Sequence, residues 1–214
     1  MSAGNVTHVT HATQAALEPE EEARAGLYGL IARLFYTPPD EQLIGYLLNA
    51  HAVDGDAAQS GARARDLART WREMVDACRT AYPVVLENEH TVLFVGTGKS
   101  EVTPYLSHYV LRHANDNPLV DLKARLIEWG IARRENVGEP EDHVAGVCEA
   151  MRFIIAVQHR SLEDQKDFFE VFVYPGGIAF CDAVTASAKA DFYRLAANFA
   201  RAFFELEHEA FAMM

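Results

Sequence analysis

The chain has 214 residues, half of them hydrophobic and 23% charged, the make-up of a folded globular protein rather than a disordered one. Its 31 acidic residues against 19 basic ones leave a net charge of −12, which argues against general binding of DNA, RNA or anionic lipid and suits a cationic partner. No run of apolar residues reaches the length of about 18 that a membrane span needs, and the N-terminus lacks the charged start and apolar middle of a secretory signal, so a cytoplasmic location is expected. Cys78, Cys148 and Cys181 are widely spaced and form no CxxC, so three reduced thiols are expected rather than a disulfide framework or a zinc site.

Residues 1–17 read as a flexible tail. Glu18-Pro19-Glu20-Glu21-Glu22 has proline and acids where a first helical turn favours them, and Leu27, Leu30, Ile31, Leu34 and Phe35 follow at helical spacing. Thr37-Pro38-Pro39-Asp40 ends that helix and starts another carrying Leu43, Tyr46 and Leu47. Residues 51–62 are small and polar, a loop. Leu67, Trp71, Met74, Val75 and Cys78 form the next apolar stripe, which Pro83 is expected to break. Residues 96–104 read as an irregular loop. Asn117-Pro118 opens a helix with Leu119, Leu122, Leu126 and Trp129 on one face, and Arg133 to Gly138 is a linker.

Pro140 is expected to open a helix bearing Val144, Val147, Cys148, Met151, Ile154 and Ile155. Ser161-Leu162-Glu163-Asp164 resembles a capping box, Tyr174-Pro175-Gly176-Gly177 reads as a turn, and Phe192, Leu195, Ala196, Phe199, Phe203 and Leu206 mark a final helix. Val84-Val85-Leu86 and Phe172-Val173-Tyr174 are too short to establish strands. The pattern predicts an all-α fold: a domain over 18–214, in lobes of about 18–133 and 140–214 joined by a hinge at 133–140.

Several segments carry chemistry, each with a plainer reading beside it. Gly98-Lys99-Ser100 looks like the end of a phosphate-binding loop, which would make a small nucleotide hydrolase. That motif needs a glycine where Leu93 stands, a strand before it and a helix after it, so a surface loop is favoured. His90, His108 and His113 lack the spacing of helical zinc ligands, and neither a metal site nor a cofactor is expected. Asp142 and His143 follow Glu139-Pro140-Glu141, where a carboxylate can simply cap a helix, while His143 could hydrogen-bond across lobes or titrate near neutral pH. Nothing in the sequence supplies a nucleophile for catalysis by an Asp–His pair. Tyr105, Ser107 and Tyr109 lie in an aromatic cluster that suits a peptide groove or a lobe interface equally.

Taken in order, Leu93-Phe94-Val95-Gly96, Pro104-Tyr105-x-Ser107-x-Tyr109, and Glu139-Pro140-x-Asp142-His143 with Met151 resemble the TorD/DmsD/NarJ family of redox-enzyme maturation chaperones. Leu34-Phe35-Tyr36, Phe168-Phe169, Tyr174-Pro175, and Phe192-Tyr193 with Leu195-Ala196 extend the similarity from about residue 20 to about residue 207. The resemblance implies an all-helical fold in two lobes and no catalytic turnover. It further implies binding of the twin-arginine signal peptide of a molybdoenzyme catalytic subunit, and holding of that subunit until its molybdenum cofactor is inserted, before export. Pro140, Asp142 and His143 match the family's hinge motif and Tyr105, Ser107 and Tyr109 its aromatic loop motif, which the resemblance ties to client binding. Leu106 and Gly176 depart from the family pattern, in which an acidic residue or glycine and a tryptophan are common. Glu139, Glu141 and Asp142 are the nearest carboxylates for the arginines of such a peptide. The expected partners are a molybdoenzyme subunit and its signal peptide, with the chain a monomer or homodimer. A helical interaction module without a molybdoenzyme link is the blander alternative.

Overall fold

Local signals account for most helix starts in the structure, a computed structural model that describes residues 17–50, 61–96, 100–110, 117–132 and 138–214. Helix α1 (Pro19–Tyr36) begins on proline with Glu20, Glu21 and Glu22 in its first turn, and ends where Thr37 turns extended before Pro38. Asp40 caps α2 (Glu41–Asn49) by accepting from the Leu43 amide at 2.8 Å. Helix α3 (Ala62–Cys78) buries Leu67, Trp71, Met74 and Cys78 at helical spacing. It stops four residues before the next helix, α4 (Pro83–His90), so Pro83 opens a helix rather than breaking one. Helix α4 runs into a π-helical turn, Thr91–Val95, closed by Gly96 in the left-handed region at φ 62°.

A single turn, α5 (Ser107–Val110), and α6 (Pro118–Glu128) follow. Asn117 caps α6, its side-chain oxygen 3.3 Å from the Val120 amide, and Gly130 closes it at φ 66°. Helix α7 (Val144–Ala156) starts four residues after Pro140, later than expected. The delay has a long-range cause: the Val144 amide donates to the Pro104 carbonyl at 2.8 Å, which holds residues 140–143 in a turn. Ser161 caps α8 (Leu162–Phe168) by accepting from the Asp164 amide.

A π-helical turn, Phe169–Val173, joins α8 to α9 (Tyr174–Ala186). Tyr174-Pro175-Gly176-Gly177 is thus the first turn of a helix and not a free turn. Both glycines are there for close approach, because a Cβ on Gly177 would lie 3.0 Å from the Phe204 ring and one on Gly176 2.8 Å from Leu106 Cβ. The run Leu162–Ala186 is long and apolar enough to cross a membrane by length and composition. In the fold it is a core element, with Phe168, Phe169, Val173, Phe180, Cys181 and Val184 inaccessible.

The last helix, α10 (Phe192–Ala212), packs on α3 and α9, while α1 lies along α7. One continuous apolar cluster draws on α1, α3, α7, α9 and α10, with Phe35 edge-on to Phe180 at 5.0 Å and Tyr28 edge-on to Phe203 at 4.8 Å. Each such ring contributes about 1.5–3 kcal/mol through burial, so this shared core is the main source of stability. The buried Glu207 carboxylate ties α10 to α1: it accepts two hydrogen bonds from Arg24, each 2.8 Å, and one from Tyr28 at 3.0 Å. Among the described residues there is no strand, only an isolated bridge between Tyr105 and His143. The all-α expectation therefore holds. Residues 1–16 of the expected 1–17 tail, most of the 51–62 loop, and 133–137 of the expected hinge lie outside the described residues.

Candidate functional site

The bridge between Tyr105 and His143 joins the two segments that the sequence singles out. The Leu106 amide donates to the Asp142 carbonyl and the Val144 amide to the Pro104 carbonyl, both at 2.8 Å. Side chains repeat the tie. Tyr105 OH donates to Glu139 Oε2 at 2.6 Å, and Ser107 Oγ donates to Asp142 Oδ2. Residues 34 or 35 positions apart in the chain are thus fixed side by side.

Each nominated residue has a distinct place. Asp142 is 4% exposed, so it is an internal tie and not an open surface carboxylate. Its Oδ1 is buried without a hydrogen-bond partner, beside a small cleft lined by Leu106, Ser107, Leu122, Val147 and Phe172 among others. His143, not Asp142, caps α7: its Nδ1 accepts from the Ala145 amide at 3.1 Å. The imidazole stands edge-on to Tyr105 at 5.7 Å and to Tyr36 at 6.1 Å. Pro140 accepts from the His143 amide through its carbonyl, which closes the turn. Glu141 pairs with Lys123 of α6 at 3.4 Å. Tyr109 turns back on its own loop, donating to the Thr103 carbonyl at 2.8 Å, and its ring faces Phe180 at 6.4 Å. The 105–107 and 139–143 segments are thus tied together, with Glu139 held by Tyr105, Asp142 held by Ser107, and Glu141 turned to Lys123.

Burial sets the electrostatics. It lowers the pKa of His143 below the usual histidine value, and the nearby Glu139 and Asp142 charges offset part of that shift. A neutral ring is also what the cap requires, since Nδ1 must keep a lone pair to accept. Tyr105 is pushed up to about 12, chiefly because its hydroxyl donates to Glu139. Burial pushes Tyr109 up to about 12 as well.

Tyr36 and Lys123 belong to this surface and were not nominated from the sequence. Tyr36 lies in the Leu34-Phe35-Tyr36 segment, and its 43% exposure at the end of α1 is the signal that separates it from its buried neighbours. Lys123 is an ordinary polar-face lysine in sequence; only the fold puts it against Glu141. The loop with Gly98-Lys99-Ser100 does not have the setting of a phosphate-binding loop. It follows the π-helical turn Thr91–Val95 rather than a strand, and the next helix is the single turn α5. Residues 97–99 themselves lie outside the described residues. Among the described residues, no group of three or more His, Cys, Asp or Glu side chains is placed to hold a metal ion.

The family model described as nitrate reductase delta subunit matches residues 60–175, more than half of the chain, and spans both segments of this site. The chain belongs to that family. This family member resembles the chaperone protein TorD of Photobacterium profundum, with 37% identity over 76 residues, 35% of each chain. It also resembles the chaperone protein TorD of Vibrio cholerae serotype O1, with 25% identity over 200 residues, 86% of this chain and 90% of that one. The match thus spans about a third of the length of the first relative and most of the second. A solved structure from Archaeoglobus fulgidus aligns over 92% of this chain and 98% of its own, at 19% identity and a TM-score of 0.49. The sequence resemblance to the TorD group stands, and the relatives named here are chaperones, not enzymes.

Proposed function

We propose that this delta-subunit family member is a cytoplasmic maturation chaperone for a molybdoenzyme catalytic subunit. It binds the subunit's twin-arginine signal peptide on the surface built by Tyr105, Ser107, Glu139, Pro140, Glu141, Asp142 and His143, with Tyr109 behind it. It holds the apo-subunit while the molybdenum cofactor is inserted and releases it for export. Residues 133–140 act as the hinge between the lobes.

One observation supports the reading: the Tyr105–Glu139 and Ser107–Asp142 ties bring aromatic and acidic groups from distant parts of the chain side by side. A twin-arginine signal joins a basic segment to an apolar one. Aromatic rings suit the apolar part, and an acidic protein attracts the basic part over roughly a Debye length, about 10 Å at 0.1 M salt. Within this surface Asp142 and His143 act by positioning. They are buried, and they fix the turn that presents Glu139, Glu141 and the tyrosine ring.

Calorimetry with the twin-arginine signal peptides of molybdoenzyme catalytic subunits from the same organism tests the reading. Micromolar or tighter binding is expected. Binding that persists after replacement of both arginines and the apolar segment counts against it.

A further inference from the structure

The three carboxylates nominated for arginine recognition are not equivalent in the fold. Glu139 accepts from Tyr105 OH, and Asp142 is buried and held by Ser107. Glu141 lines a groove of about 370 Å³ that runs along α6, with Leu126, Ile127, Ile131 and the Lys123 side chain among its walls. That volume is at the lower end of ligand sites, about 300–1,000 Å³, and suits a few side chains of a peptide. Ile127 is 77% exposed and gives the groove an apolar rim. Glu141 Oε2 is buried yet makes no hydrogen bond, and it pairs with Lys123 Nζ only at 3.4 Å. Among the described residues lining the groove, Lys123 is the one cation. Arg125, on the same helix, is engaged elsewhere: it pairs with Glu128 and lies over the Trp129 ring at 5.0 Å.

We infer that Glu141 is the arginine acceptor of the signal-peptide site and that Lys123 is its built-in placeholder, displaced when the peptide binds. The inference rests on the chaperone reading above and adds to it a named specificity residue. The lysine end of the pair is 45% exposed and the contact is long, so exchanging the lysine costs little. The incoming guanidinium gains more than the lysine gives up, because its planar fork can donate two hydrogen bonds to a carboxylate where the lysine makes none. The freed Lys123 ammonium, on an exposed side chain, returns to water. The apolar wall from Leu126 to Ile131 then meets the apolar residues that follow the arginines. The occupant is therefore a segment with arginine next to an apolar stretch, complemented by Glu141 once Lys123 leaves it and by the apolar lining.

The test uses the full chain and two synthetic peptides, each with an apolar stretch of about 15 residues, preceded by Arg-Arg in one and Gln-Gln in the other. The wild-type protein should prefer the Arg-Arg peptide by about tenfold or more. Glu141→Gln, at a partly exposed position that keeps the fold by circular dichroism, should lose that preference and bind both peptides alike. Lys123→Met should bind the Arg-Arg peptide about threefold more tightly, because its acceptor is vacant. A Glu141→Gln protein that keeps the full preference overturns the acceptor assignment and leaves the chaperone reading intact. Lys123→Met binding that is unchanged or weaker overturns the placeholder. Wild-type protein that binds neither peptide defeats both the inference and the reading beneath it.

Discussion

Leu106 and Gly176 touch so closely that no side chain fits between them: a Cβ on Gly176 would lie 2.8 Å from Leu106 Cβ and 3.0 Å from its carbonyl oxygen. The contact presses the first turn of α9 against the residue whose amide is bound to Asp142. Gly176→Ala should therefore destabilise the protein by about 1–3 kcal/mol, as overpacking does. Leu106→Ala should not rescue it, because the obstructing Cβ, Cα and carbonyl remain in alanine. Denaturant midpoints of the two single variants and the double variant check this; a full rescue would show that the outer part of the Leu106 side chain sets the fit.

Glu89 should behave as a helix cap despite lying more than a hundred residues from the helix it serves. Its carboxylate accepts from the amides of Asp191, Phe192 and Tyr193 at 2.8, 3.3 and 2.9 Å, at the start of α10. Asp191 itself makes no side-chain cap. Glu89→Ala should cost about 1–2 kcal/mol and Glu89→Gln less, since the amide keeps one acceptor oxygen. Urea unfolding followed at 222 nm reads both losses.

Stability should fall on the acid side of neutrality. Burial lowers the pKa values of His143 and His90 in the folded state. Below the ordinary histidine value of about 6.5 the unfolded chain takes up protons that the folded chain refuses, so stability is lost as pH falls through that value toward the lowered ones. His143→Asn keeps a capping acceptor and removes one titrating ring, so its unfolding free energy should change less between pH 7.5 and 5.5 than that of wild type. An equal or steeper change would show that His143 contributes nothing to the dependence.

The thiols should be inert while the protein is folded. Burial pushes Cys78 up to about 11 and raises Cys148 and Cys181 further, and all three are free and buried. Thiolate is the reactive form, so Ellman's reagent at pH 8 should label none of them in the native state and all of them in denaturant. Rapid native labelling would contradict the burial.

Where the local chemistry and the fold agree, the sequence was readable. Asp40, Asn117 and Ser161 cap helices as their positions predict, and Val144, Val147, Cys148, Met151, Ile154 and Ile155 are all buried on α7. Two of the misreadings share a cause: a distant residue overrides the local signal. Pro140 opens no helix because Pro104 holds the Val144 amide, and Gly176-Gly177 forms no free turn because Leu106 and Phe204 press on it. The candidate residues could be named from their motifs, but Asp142 as a buried tie, His143 as the cap and Lys123 against Glu141 follow only from packing.

The central claim is that the chain matures a molybdoenzyme. Deleting its gene and measuring the activity and molybdenum content of the organism's molybdoenzymes is the decisive measurement. For the client enzyme both should fall severalfold and be restored by the wild-type chain, but only in part by Glu141→Gln. Unchanged activity and metal content in the deletion strain would contradict it.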